Sequence, residues 1–171
     1  MNAGIESEPG VKNRTTVERT SDREVVVTRT VNGPARIVFE AFTNAELLKR
    51  WWVPKSMGMK LLSCEVDARV GGKYRLVFDH SPEPVAFFGS YVEVQPHSRL
   101  AWTNEEAGEG GGSVTTVTFE EKHGKTLVVI RETYPSKEAL DAAGTGAADA
   151  MVETFNQLDE LLVALGESSG Q

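Results

Sequence analysis

Near the end of the chain, apolar residues fall at Ala148, Met151, Phe155, Leu158, Leu162 and Leu165, spaced alternately three and four apart. Val152 and Leu161 widen that stripe, while Asp149, Glu153, Gln157 and Glu160 take the opposite side. The period predicts an amphipathic helix over 147–165 with one broad apolar face. No Gly or Pro interrupts it, and Gly166 stands where a helix commonly stops. At 1.5 Å per residue it is roughly 28 Å long, enough to cross a small domain. So apolar a face needs a large partner surface, and most of the preceding chain has the period of strands. The expected partner is therefore a sheet.

The β-branched stretch EVVVTRTV, residues 24–31, predicts the first strand. Asn32-Gly33-Pro34 breaks it, and Pro34 suits the first position of a helix carrying Ile37, Val38, Ala41 and Phe42 on one side. Thr43 or Asn44 caps a second short helix, AELLKRWW, which Pro54 ends. The period then changes to two. Strands are expected over 59–66, 73–79, 85–95, 98–104, 113–121 and 125–134, separated by turn-forming residues such as Gly71-Gly72 and His123-Gly124. Connections this short favour an antiparallel meander. Alternation places Leu62, Cys64 and Val66, then Tyr74, Leu76 and Phe78, then Leu100 and Trp102, then Thr115, Val117 and Phe119 on one face. The stretch VAFFGSYVEV alternates poorly, and Gly89 marks a bulge or bend in a curved sheet. The expected fold is α+β, with a curved antiparallel sheet of about seven strands wrapped around a long C-terminal helix. Two short helices after the first strand would close one end. The domain is expected over 23–166, between a disordered tail (1–22) and a short C-terminal tail (167–171).

Composition narrows the partners. A chain of 171 residues with 40% hydrophobic content suits one domain with a sizeable core. The formal net charge of −7, with no basic patch to offset it, argues against nucleic acid and anionic membrane. No apolar run reaches the roughly 18 residues that a membrane span needs. Residues 1–16 lack the apolar core of a secretory signal, and the single cysteine, Cys64, has no internal disulfide partner. A cytoplasmic setting is the expectation.

The stretch TRTVNGPARIVFEAFTNAELLKRWWVP resembles the opening of SRPBCC (START/birch-pollen-allergen-like, helix-grip) proteins. The branch it resembles most is related to the C-terminal domain of the activator of heat-shock-protein-90 ATPase. The matching residues are Arg29, Pro34, Val38, Phe39, Ala41, Phe42, Thr43, Trp51 and Trp52. A second block matches an RxGG turn at Arg69, Gly71 and Gly72; a third matches at Gly89, Tyr91, Glu93, Pro96, Arg99 and Leu100. In the last helix Met151 stands where the family usually has Trp. The resemblance spans about residues 24–165. It implies the helix-grip fold more firmly than any activity, because this scaffold hosts binders, transporters and a few enzymes.

Catalytic sets are mostly absent. His80, His97 and His123 lie in separate turns without metal-ligand spacing, and are expected as solvated turn residues. Cys64, in a strand, reads as a buried and inert thiol. Gly71-Gly72 and Gly110-Gly111-Gly112 precede no helix or Lys-Ser/Thr, so they are expected as turns rather than phosphate loops. Glu105, Glu106 and Glu109 sit in a Gly-rich hairpin loop expected to be solvated. No cofactor or metal is expected.

The aromatics carry more information. Trp51 and Trp52 either cap the core and its rim, or gate a pocket mouth with Met57 and Met59 as adaptable lining. Tyr74, Leu76, Phe78, Trp102, Val117 and Phe119 on the inward face, with Phe42 beside them and Met151 and Phe155 opposite, either wall a cavity or fill a core. Arg29, Arg131 and Glu132 lie in apolar strands, where a buried charge needs a partner.

The leading expectation is a binding protein for an apolar or amphipathic small molecule, held between the last helix and the sheet. A chaperone-associated interaction module is the second. An enzyme on a polyketide-like or aromatic substrate is the third, with only Tyr74, Cys64, Arg131 and Glu132 to offer. Monomer and homodimer both remain open.

Overall fold

The computed structural model describes residues 14–80, 82–105 and 112–169. The β-branched run becomes strand β2 (Glu24–Val31), preceded by a short β1 (Thr16–Arg19). Helices α1 (Ala35–Thr43) and α2 (Ala45–Leu48) follow. Then come β3 (Leu61–Val66), β4 (Lys73–Phe78), β5 (Val85–Gln95), β6 (Arg99–Thr103), β7 (Val114–Lys122) and β8 (Lys125–Thr133). A helix α3 (Lys137–Ala143) leads into the long α4 (Gly146–Ser169). Among the described residues the strands form one antiparallel sheet in the order β1-β2-β8-β7-β6-β5-β4-β3. The fold is the expected α+β helix grip, a curved meander around the last helix.

Four expectations need correction. The sheet has eight strands rather than about seven. The extra one, β1, comes from the stretch read as tail, because its four residues complete the open edge of β2 although they carry little strand signal of their own. Residues 1–13 of that tail lie outside the described residues. Second, Gly166 lies within α4, which runs on to Ser169; one helical Gly costs only about 1 kcal/mol and does not by itself end a helix. Third, a register shift between Leu61 and Ser63 turns Leu62 to solvent and Leu61 inward. Fourth, Val152 is exposed rather than part of the apolar stripe.

Local chemistry explains the helix ends. Asn44 caps α2, its Oδ1 accepting from the amides of Glu46 and Leu47 at 2.9 and 3.2 Å. Pro34 stands at the N-cap of α1, one position before its first turn, and Glu121 of β7 accepts the Ala35 amide at 2.9 Å. Ser136 caps α3 by accepting from Ala139 at 3.0 Å. α3 went unread in the sequence because seven residues give too short a period.

The bend of the sheet lies in β5. Its first half pairs with β4 and its second half with β6. At the corner, a Cβ on Gly89 would stand 1.8 Å from the Thr103 carbonyl oxygen, so only glycine allows the two backbones to come this close. A bulge between Tyr91 and Glu93 completes the turn.

Candidate functional site

The inner space divides into a filled half and an empty half. In the filled half, Phe155, Leu158, Leu161 and Leu162 of α4 pack with α1 and with Val117, Val128 and Ile130. Trp51 is buried there, donating its Nε1–H to the Ala41 carbonyl at 3.0 Å and standing edge-on to Phe42. Phe119, edge-on to both Phe39 and Phe42, belongs to the same packing. Four residues expected as pocket walls, Trp51, Val117, Phe119 and Phe155, therefore lie in the filled core.

The other half is a hollow of about 670 Å³ at the N-terminal end of α4. The expected residues Phe42, Trp52, Tyr74, Leu76, Phe78, Trp102 and Met151 all border it. Trp52 meets Trp102 edge-on at 6.4 Å, and Trp102 in turn meets Tyr74 and Tyr91. Sequence reading missed Phe87 and Tyr91, because the bend in β5 obscures which of its residues face inward, and missed Ala139, Ala142 and Ala143 along with their helix α3. Met59 is half-buried and is not among the described lining residues; Met57 is largely exposed.

The segment after α2 is held by the polar side of α4. The Gln157 Nε2 donates to the carbonyls of Trp51 and Val53 at 3.1 and 2.9 Å, and its Oε1 accepts from the Lys55 amide at 2.9 Å. Glu153 accepts from the Ser56 amide at 3.0 Å and its hydroxyl at 2.5 Å. These hydrogen bonds hold the Glu153 carboxyl below its usual range. Trp52 is thereby fixed at the edge of the hollow.

One end of the hollow is polar. Tyr74 donates to the Thr103 carbonyl (2.8 Å), with the Asn104 Oδ1 3.0 Å away. The Asn104 Nδ2 reaches the Ser113 and Thr115 hydroxyls at 3.0 and 2.9 Å. Thr115 donates on to Glu132 at 3.4 Å, and the Tyr134 hydroxyl lies 3.5 Å from the other Glu132 oxygen. Of the charged strand residues singled out, Glu132 thus faces the hollow. Arg131 lies on the outer face near Glu24, and Arg29 is buried against Asp159 of α4. Glu106, Glu109, Gly110 and Gly111 lie outside the described residues.

Tyr91 is buried in the wall of the hollow, and among the described residues its hydroxyl has no hydrogen-bond partner. Burial, with Cys64 and Asp67 nearby, pushes its phenol well above the ordinary tyrosine range. Cys64 is half-buried, and desolvation raises its thiol, which lowers its reactivity. His97 and His123 occupy left-handed turn positions, and His97 lies edge-on to Phe39. Among the described residues, no three His, Cys, Asp or Glu converge as metal ligands, and no helix is long and apolar enough to cross a membrane.

The profile of the family described as "Activator of Hsp90 ATPase homolog 1-like protein" matches residues 32–163, well over half the chain. The chain belongs to this family. Solved structures agree on the fold. A Rhodobacter sphaeroides protein, 22% identical, superposes with a TM-score of 0.78, covering 89% of this chain and 99% of its own. A Nitrosomonas europaea protein, also 22% identical, gives 0.76 over 87% and 99%. A Chromobacterium violaceum protein, 28% identical, gives 0.68 over 83% and 98%. No curated protein matches the sequence.

The blocks through which the chain resembles this Hsp90-ATPase-activator-like family now have physical explanations. In the RxGG turn Gly71 adopts φ 86°, and a Cβ on Gly72 would stand 2.0 Å from the Asp67 carbonyl oxygen. In the third block Gly89 makes the corner, while Glu93 and Arg99 form an ion pair at 2.7 Å across β5 and β6. Both blocks build the curved sheet, and of these residues only Tyr91 borders the hollow.

Proposed function

We propose that this family member is a small-molecule binding protein that takes an apolar or amphipathic ligand into the hollow at the head of α4. The observation supporting this reading is an aromatic-walled space of about 670 Å³ beside an otherwise filled core. Protein interiors pack with few voids larger than a water molecule, whereas ligand sites typically occupy about 300–1,000 Å³. Burying ligand carbon supplies about 25 cal/mol per Å² before ordering costs. The mostly apolar lining, with polar groups gathered at one end, suits an amphipathic molecule.

The test is a fluorescence titration with the neutral probe N-phenyl-1-naphthylamine. Saturable one-site binding is expected, and it should weaken strongly in Ala142→Trp, which fills the space from α3. Absence of saturable binding, or equal binding by that variant, contradicts the reading.

The family description brings a second reading, docking on a chaperone. Trp51 of the Trp51-Trp52 tandem is 1% exposed and so offers a partner no surface at that position, which favours the ligand reading. Recovery of an Hsp90-type chaperone in a pull-down, with a changed ATPase rate on adding the protein, would reverse that order.

A further inference from the structure

We propose that the ligand of this hollow carries a hydrogen-bond acceptor within its apolar body, a carbonyl or ether oxygen, and that the hydroxyl of Tyr91 donates to it. This inference rests on the ligand-binding reading above and names the chemical class of the ligand.

Two tyrosines stand in the wall, and their hydroxyls differ. Tyr74 on β4 donates to the Thr103 carbonyl at 2.8 Å, so its hydrogen serves the sheet. Tyr91 on β5 is 4% exposed, borders the same space, and has no hydrogen-bond partner among the described residues. Its place is fixed at the backbone and at the ring. Its amide donates to the Gly72 carbonyl and its own carbonyl accepts from the Gly71 amide, both at 2.9 Å. The ring stands edge-on to Tyr74 at 5.9 Å and to Trp102 at 6.3 Å. A side chain held in this way keeps its hydroxyl away from bulk water.

The neighbouring groups do not replace the missing acceptor. Asp67 and Cys64 are near enough to act on the phenol electrostatically. Both Asp67 oxygens, however, accept from the Arg69 Nε at 3.0 Å, and a thiol sulfur is a weak acceptor. Burial is the main cause that pushes the phenol above its ordinary range, so it keeps its hydrogen near neutral pH. Buried polar groups are nearly always hydrogen-bonded, because a donor removed from water without an acceptor costs stability. Phenylalanine would fill this position with almost the same apolar area and without that cost. A ligand oxygen that accepts from the phenol removes the cost on binding, whereas a hydrocarbon ligand leaves it in place. A carbonyl suits an apolar wall well, since it brings lone pairs and no hydrogen of its own that needs a partner.

The test compares benzophenone with diphenylmethane, which share two phenyl rings and differ by the carbonyl oxygen, as competitors of N-phenyl-1-naphthylamine on the full chain. In Tyr91→Phe, benzophenone should weaken about fivefold or more while diphenylmethane changes by less than about twofold, each corrected for that variant's affinity for the probe. A merely structural role would weaken both alike. The infrared carbonyl stretch of bound benzophenone, labelled with carbon-13 at the carbonyl, should lie lower in wild type than in Tyr91→Phe. Without ligand, Tyr91→Phe should melt no lower than wild type, since it removes only an unpaired group. Equal losses for the two compounds, an unshifted stretch, or a bound probe that benzophenone cannot displace overturns the inference and leaves the ligand reading standing. A variant that melts well below wild type shows that the hydroxyl serves the fold, and also overturns it. If Tyr91→Phe takes up no probe, the stretch in wild type decides alone, and a value as high as in hexane overturns the inference. If wild type does not bind the probe, the ligand reading fails and this inference falls with it.

Discussion

Arg29 on β2 and Asp159 on α4 form a buried ion pair, Nη2 to Oδ2 at 2.5 Å. The guanidinium is 1% exposed and also reaches Thr15 Oγ1 at 2.7 Å and the Thr30 carbonyl at 3.2 Å. The second Asp159 oxygen accepts the Asn32 amide at 2.7 Å. One carboxylate therefore ties the last helix to β2 and to the turn that follows it. Asp159→Ala, which leaves the guanidinium buried without its counter-charge, should destabilise the fold by about 3–5 kcal/mol in urea unfolding. A loss below about 1 kcal/mol would class the pair with exposed ones.

Gly89→Ala places a methyl 1.8 Å from the Thr103 carbonyl oxygen and 2.9 Å from the Tyr74 ring. Both obstacles are fixed in the sheet, so the corner of β5 must open. We expect a loss of about 2–4 kcal/mol, beyond ordinary overpacking because backbone must move, together with weaker probe binding, since Tyr74 and Trp102 flank the corner. Thermal unfolding and the probe titration check this together; an unchanged melting temperature would show that the corner yields freely.

Acid should loosen the segment after α2. The Glu153 carboxyl is depressed by its hydrogen bonds from Ser56. A depressed carboxyl stabilises the structure above its unfolded pKa of about 4.3, and that contribution is lost as pH falls through the folded value. Hydrogen exchange at the Ser56 amide should therefore lose protection on acidification through the carboxylate range, and Glu153→Gln should remove this pH dependence. Protection that is indifferent to pH in the wild type contradicts the clamp.

Alkali should act on Tyr91 in the opposite sense. Its phenol is raised chiefly by burial, so the folded state holds the proton more tightly than the unfolded chain. That stability is complete below the unfolded value of about 10 and is lost as pH rises through the folded one. A difference titration at 295 nm between wild type and Tyr91→Phe should place the missing step above the ordinary phenol range. A step near the ordinary value would mean that Tyr91 is solvated.

The sequence made the scaffold legible and the site only half so. Stripes such as Phe155-Leu158-Leu162 and Tyr74-Leu76-Phe78 reveal which face is inward because burial repeats with the period of the element. They do not reveal whether the space in front of that face is filled. Phe155 and Phe119 lie in the filled core, whereas Met151 and Phe78 border the hollow. That difference is set by the relative placement of β5, α3 and α4, not by any local pattern. Gln157 shows the same limit, because its place on the polar side of the helix implied solvent, yet that side grips the backbone of Trp51 and Val53. Glu132 was legible as an oddity in an apolar strand, and its direction followed only from the register of β8.

The location of binding is tested most directly by nitrogen-15 NMR of the full chain titrated with N-phenyl-1-naphthylamine. Amide shifts are expected to concentrate at Trp52, Tyr74, Trp102, Glu132 and residues 139–143, with Leu158, Leu162 and β1 nearly still. Shifts gathered on the outer face of the sheet, or along the second half of α4, or absent at saturating probe, would contradict a binding site at the head of that helix.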